Sequence, residues 1–297
     1  GKRFAFTLTQ SQGIELWVGD VAGKSAQALT AARVNDAMRG TPFDWVGSSQ
    51  LLVKLVPAGR SAPPEEALAP EGPVIQESAG EKTTLRTYQD LLEGPHDKAL
   101  FEYYTTADLL LIHLEAGERT TLVESAIIAG VAPSPNDQYI LVETLHRPFS
   151  YLVPYYRFPT TTKVYDLDGN LVKLIDEQPL IEQLPKGFGA VPEGKRRISW
   201  RDDQAATLYW VEAQDGGDPK REAETRDRLF YWEAPFEDEA IQTGLDFSLR
   251  FSGITWGDAS TAIAYEFWWP TRKVITSAFT PGQPDSKTVL FDRSYQD

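Results

Sequence analysis

Short runs of alternating or continuous apolar residues recur along the whole chain, each closed by a polar turn. Residues 43–53 run as a short strand, a Gly47-Ser48-Ser49 turn and a β-rich strand. Residues 131–142 repeat this around Ser134-Pro135-Asn136-Asp137, residues 198–211 around Asp202-Asp203, and residues 254–265 around Gly257-Asp258-Ala259-Ser260. Runs of this length bounded by Asp, Asn, Ser and Gly predict antiparallel hairpins. Each hairpin is followed by a second: 16–30, 109–123 and 164–175, with Leu229 to Trp232 and Val274 to Phe279 opening the last two. Asp168-Gly169 and Ala116-Gly117 supply the positive φ that tight turns require.

Four antiparallel strands per unit, repeated, predict an all-β fold, a β-propeller of four-stranded antiparallel blades. With the strands of a blade lettered a to d from the axis outward, about five units are visible, as a ring or as an arc of a larger one. The first unit lacks strand a, because Gly1 opens it at strand b. A start without Met, directly in strand-like sequence, reads as a chain processed or cut from something larger. The whole of 1–297 is expected to form a single propeller domain. The propeller also accounts for Trp17, Trp45, Trp200, Trp210, Trp232 and Trp256 as fillers of the wedge between blades.

Three insertions interrupt strands b and c: residues 57–106, 146–161 and 213–226. In an up-and-down blade these connections leave from one face, which marks it as the functional face. The first insertion opens Pro-rich and acidic (Pro63, Pro64, Glu65, Glu66, Pro70, Glu71, Pro73) and reads as extended. Its second half predicts a helical hairpin, 86–92 and 98–104 around a Gly94-Pro95 break, with Leu91, Leu92, Leu100, Phe101 and Tyr104 as its apolar seam.

The net charge of −14 argues against a nucleic-acid or anionic-membrane surface, which needs clustered Lys and Arg. The absence of cysteine removes disulfides, thiol catalysis and Cys-based zinc sites. No apolar run approaches the ~18 residues of a membrane helix. Compartment is not legible.

Most chemical motifs are decoys. Gly189, Gly194 and Lys195 have phosphate-loop spacing, but Arg196 stands where a hydroxyl belongs; before Lys24-Ser25, Gly19 lies one residue too close to Gly23. Asp166, Asp168, Asn170 and Glu177 mimic a calcium loop, but Leu171 replaces its Gly and both flanks are strands. His96, His113 and His146 are scattered, so no zinc site and no cofactor is expected. Asp137, Asp202, Asp203 and Asp258 recur at one phase of successive blades, which favours turn capping over the paired carboxylates of a glycosidase. No G-x-S-x-G string occurs, so no catalytic residue is expected in this chain.

Ala132-Pro133-Ser134-Pro135-Asn136-Asp137 is similar to the S-P-D-G motif of propellers in the prolyl oligopeptidase family of serine peptidases. Residues 146–159 (HRPFSYLVPYYRFP), Ser199-Trp200-Arg201, residues 206–213 and Asp215-Gly216-Gly217-Asp218 resemble its glutamyl endopeptidase branch, of chloroplast and bacterial type. The resemblance implies an N-terminal propeller that restricts access to a C-terminal α/β-hydrolase domain carrying a Ser-Asp-His triad. That hydrolase domain and a peptide substrate would be the partners. An open ring would add self-association through its unpaired edge. On the elaborated face, Arg147, Tyr151, Tyr155, Tyr156 and Arg157 are expected to face substrate, with Arg147 or Arg157 reaching a glutamate carboxylate. The plainer alternative pairs both Args with acidic neighbours and lays the Tyr rings over the blade. A stand-alone scaffold for protein partners, and a propeller glycosidase, are the competing functions.

Overall fold

The computed structural model describes residues 1–66 and 88–296. Pro70, Glu71, Pro73 and the start of the expected hairpin, Arg86-Thr87, lie outside them. The chain is all-β, of propeller type, and divides into two compact units.

The first unit holds a three-stranded antiparallel sheet, β1 (Arg3–Gln10), β2 (Gly13–Asp20) and β3 (Ser25–Ala28). Beside it runs a seven-stranded sheet: β4 (Phe43–Val46), β5 (Gln50–Leu55), β6 (Thr106–His113), β7 (Arg119–Pro133), β8 (Tyr139–Leu145), β9 (Thr160–Asp166) and β10 (Leu171–Gln178), each hydrogen-bonded to the next. The strands expected as d of the second blade and a of the third are therefore one strand, β7. Its first half pairs with β6 and its second half with β8; the registers overlap only at Ile127, which faces Thr106 on one side and Leu145 on the other. Ser125 takes φ +47° just before that point and lets the strand turn from one arm to the other.

Side-chain alternation then divides β5 between two cores. Leu51, Val53 and Leu55 pack with Leu16, Val34 and Ile112, against the three-stranded sheet. Leu52 points the other way, among Leu109, Leu111, Ile128, Ile140 and Val142 of the two arms. A strand covered on both faces has no solvated side, and β5 is buried from Leu51 to Leu55, Lys54 included. Trp45 packs against the first of these cores, and Trp17 stacks on Phe6.

The second unit holds two four-stranded antiparallel sheets: β11 (Arg196–Trp200), β12 (Thr207–Ala213), β13 (Asp227–Glu233) and β14 (Gln242–Phe247), then β15 (Arg250–Asp258), β16 (Thr261–Trp268), β17 (Lys273–Thr280) and β18 (Gln283–Ser294). Val211, Leu229, Tyr231, Leu245 and Phe247 of one meet Phe251, Trp256, Ala262, Ala264 and Phe279 of the other. Trp256 lies edge-on to Tyr209, Tyr231 and Phe279, so this indole does fill the wedge between two blades. Trp210 stacks on Phe230 and sets its edge toward Trp232, on the β12–β13 pair itself.

The insertion after β5 departs from expectation. Tyr88 to Leu92 is not helical, and Asp90 takes φ +56° there. Among the described residues it contains one helix, α1 (Pro95–Thr105), instead of a hairpin. Gly94-Pro95 is not a break between helices but the start of this one. Gly94 is its extended N-cap, and Pro95 sits in the first turn, where a missing N–H costs nothing.

Candidate functional site: the helix and loop at one edge of the first unit

The β-registers place both insertions of the first unit together. Thr106, Ile127, Leu145 and Thr160 form one cross-strand row, so the chain leaves for α1 and for the 146–159 loop at the same sheet edge. Asn35, itself buried, clamps the helix exit through its Nδ2, which donates to the carbonyls of Tyr104 (3.0 Å) and Thr106 (2.8 Å).

One face of α1, at i, i+3, i+4 spacing, meets the loop. Lys98 sits 3.8 Å over the Tyr151 ring. Phe101 packs edge-on against Phe149 (5.3 Å) and Phe158 (5.9 Å) and lies 6.4 Å from Tyr155. Phe149 and Phe158 stack at 5.2 Å and are buried. Glu102 accepts two hydrogen bonds from Arg147, Nε at 3.1 Å and Nη2 at 2.7 Å. Those bonds hold the guanidinium's pKa above its already high ordinary value. His146 is engaged at both nitrogens, Nδ1 at 3.0 Å from the Arg147 carbonyl and Nε2 at 3.2 Å from the Thr161 hydroxyl.

Of the five residues expected to face substrate, Arg147 sets its guanidinium fork on the Glu102 carboxylate, with 56% of its side chain exposed. Tyr151 lies under Lys98, and Tyr155 closes the cluster around Phe101. Arg157 is half-buried at the end of a short 3-10 turn, Tyr155–Arg157. Tyr156, 60% exposed, and Leu152, 45% exposed, present the apolar surface of the loop. These groups can hold an extended chain by stacking and apolar contact.

Phe101 is the centre of this arrangement. Phe101→Ala is expected to cost about 2 kcal/mol, less than truncating a fully buried Phe because the ring is half-buried. Hydrogen exchange should speed up in α1 and 146–159 while β12 and β13 keep their protection. Uniform protection in α1 would show that the ring does not anchor the helix.

The Asp residues at blade turns have local work. Asp258 accepts from the Ser260 hydroxyl and from the backbone N–H groups of Ser260 and Thr261, which together lower its pKa. Asp203 holds the buried Arg201 in a two-point pair, with Arg201 also lying over the Tyr231 and Trp256 rings. Asp166 accepts from the N–H groups of Asp168 and Asn170, as a hairpin turn does.

In the second unit a charge network escaped the sequence reading. Asp215 and Asp227, both fully buried, share Arg250, and each also pairs with a second cation, Arg226 and Arg196 respectively. The Asp215-Gly216-Gly217-Asp218 string was the only available signal.

No protein-family model matches the sequence. A protein named "Probable glutamyl endopeptidase, chloroplastic" from Oryza sativa subsp. japonica is 38% identical over 290 residues, 96% of this chain and 31% of that protein. One of the same name from Arabidopsis thaliana is 36% identical over 308 residues, 100% of this chain and 32% of that protein. The chain spans about a third of the length of these relatives. Among solved structures, the tricorn protease matches with a TM-score of 0.50 at 11% identity, over 97% of this chain and 25% of that one. An oligogalacturonate lyase from Vibrio parahaemolyticus matches with a TM-score of 0.51 at 8% identity, over 99% of this chain and 62% of that one. At such identities the two structures speak for the fold alone. Across nearly all of its length the chain is thus a homologue of one segment of the glutamyl endopeptidases, the prolyl oligopeptidase-type peptidases its sequence resembles, with the antiparallel blades of a propeller domain.

Proposed function

We propose that this chain is the non-catalytic propeller of a larger serine peptidase, which limits the access of peptide substrates and docks an α/β-hydrolase domain that carries the triad. The observation that carries this reading is the match itself: it runs through 96% of this chain yet leaves about two thirds of the rice relative unmatched. That remainder is long enough to hold a hydrolase domain. The packing of α1 on the 146–159 loop supports a gate, since a helix and a loop pinned together at one sheet edge form a stiff obstacle. In this role the Arg147–Glu102 pair holds the loop to the helix, and Tyr156 with Leu152 touches the passing chain.

The test uses the full-length parent with Phe101→Ala, which loosens the obstacle without touching a triad. Cleavage of a protein-sized substrate relative to a short glutamyl peptide is expected to rise severalfold. An unchanged ratio would exclude gating at this edge, and hydrolysis of the short peptide by the 297-residue chain alone would exclude the non-catalytic role.

A further inference from the structure

The groove between the two arms of the seven-stranded sheet contains a charge that the fold does not neutralise. Residues 50–55 read Gln-Leu-Leu-Val-Lys-Leu, and period-two alternation puts Lys54 on the same face as Leu52. That face lines a cavity of about 180 Å³ within the first unit. Its walls are Pro42 and Phe43 from β4 and the segment before it, Leu52 from β5, Leu109 from β6, and Ala129 to Val131 from β7. Lys54 is 7% exposed. Its backbone is satisfied: the N–H donates to the Pro42 carbonyl, and its own carbonyl accepts from Asn35. Its ammonium has no hydrogen bond or ion pair with any described residue and keeps a little contact with solvent. Burial pushes its pKa down, and the exposed Asp36 carboxylate only partly offsets this.

The remaining charged groups around it are few. Arg39, exposed on the segment before β4, and Asp44 on β4 complete the charged lining, while the β6 and β7 walls contribute none. A largely buried ammonium that no described side chain pairs takes its hydrogen bonds from what the cavity holds, and an anion there would supply both the acceptors and the missing charge. The lining also restricts the anion. One deep cation against an aliphatic wall suits a monoanion with a short hydrocarbon stem. A phosphate dianion would need more donors and would be repelled more strongly than a monoanion by Asp44 in the lining.

We infer that this cavity binds an aliphatic carboxylate, with Lys54 as its counter-ion at the bottom and Arg39 at the mouth. The carboxylate has two possible sources, a free short-chain acid or the side chain of an acidic peptide. Its lining shares no residue with the α1 cluster, and the inference does not depend on the gating role.

The test is carbon NMR of the isotope-labelled lysines of this chain, with the Lys54 signal assigned by its loss in Lys54→Met. Butyrate is expected to raise the Lys54 titration midpoint by about one pH unit over that in chloride, roughly tenfold in proton affinity, because the ligand favours the charged form. Phosphate and neutral butyramide should leave it unmoved. Arg39→Ala should weaken the butyrate response in a folded protein. N-acetyl-glutamic acid amide separates the sources: a response equal to butyrate's identifies a peptide side chain, and a response to butyrate alone identifies a free acid. A midpoint insensitive to both carboxylates, or moved equally by phosphate, would overturn the assignment. Lys54→Met preserves the volume and removes the unpaired charge, so it is expected to fold with a melting temperature at or above the parent's. Calorimetric butyrate binding retained in that variant would equally overturn it.

Discussion

Arg250→Ala is expected to lower the unfolding free energy by about 3–5 kcal/mol, the range for breaking a buried ion pair from one side. Arg250 is 7% exposed at its side chain, and Asp215 and Asp227 are 0% exposed. Its guanidinium donates to both Asp215 oxygens (2.7 and 2.8 Å), to Asp227 (2.9 Å), and to the carbonyls of Gly189 (2.9 Å) and Arg226 (2.9 Å). Alanine removes all five bonds at once. Each aspartate keeps one cation, Arg226 or Arg196, but loses the group that joins them. Asp227 also accepts from the Phe251 N–H, so the damage reaches the start of β15. Arg250→Lys keeps the charge without the planar fork and should fall between the two.

The matched control is Arg228→Ala. Arg228 makes a similar two-point pair with Asp246, but the side chains are 36% and 45% exposed. Water replaces such a partner, so the loss should stay under about 1 kcal/mol. Urea unfolding of both variants gives the comparison. Equal midpoints would mean that burial adds nothing to the Arg250 network.

Gly217→Ala is the second large effect, about 4 kcal/mol, and arises from backbone rather than charge. Gly217 takes φ +71°, where a methyl group strains the chain by about 1–2 kcal/mol. The added Cβ would also lie 2.0 Å from the Val191 carbonyl oxygen. That atom is main chain and cannot rotate away, so the clash adds about 1–3 kcal/mol as the two segments part. The Val191 N–H donates to the Gly217 carbonyl, and the Gly217 N–H to Asp215 Oδ1, so parting them opens the charge network too. Gly59→Ala isolates the conformational share: φ is +73°, with nothing within 4 Å of the new methyl. It should cost only about 1–2 kcal/mol. Hydrogen exchange over residues 187–195 should accelerate in Gly217→Ala alone. A Gly217→Ala protein as stable as Gly59→Ala would show that Val191 moves aside freely.

The strands and hairpins were legible because their signals are local. Alternation repeats every two residues, and Asp166, Asp258 and Gly169 act within their own turns. β7 was read as two strands because nothing in Glu124-Ser125-Ala126 distinguishes a bend inside a continuous strand from a connection between strands. The helix expected near Tyr88 to Leu92 failed for the opposite reason. Helix-forming residues are present there, but the capping and packing partners that complete a helix are at Gly94-Pro95 and on the Phe101 face. Arg147 was correctly set on an elaborated loop, yet its partner Glu102 lies 45 residues earlier and no spacing rule joins them.

Residue order alone therefore settles the class of fold, the phase of each strand and the chemistry of its turns, since these depend on neighbours a few positions away. Tertiary structure decides which charges leave water together and which leave it alone. Asp215, Asp227 and Arg250 neutralise one another across 12 to 35 residues, and Lys54 enters the groove between two arms of one bent sheet with no described partner. Desolvation depends on what approaches in space, and only the folded chain brings those groups together.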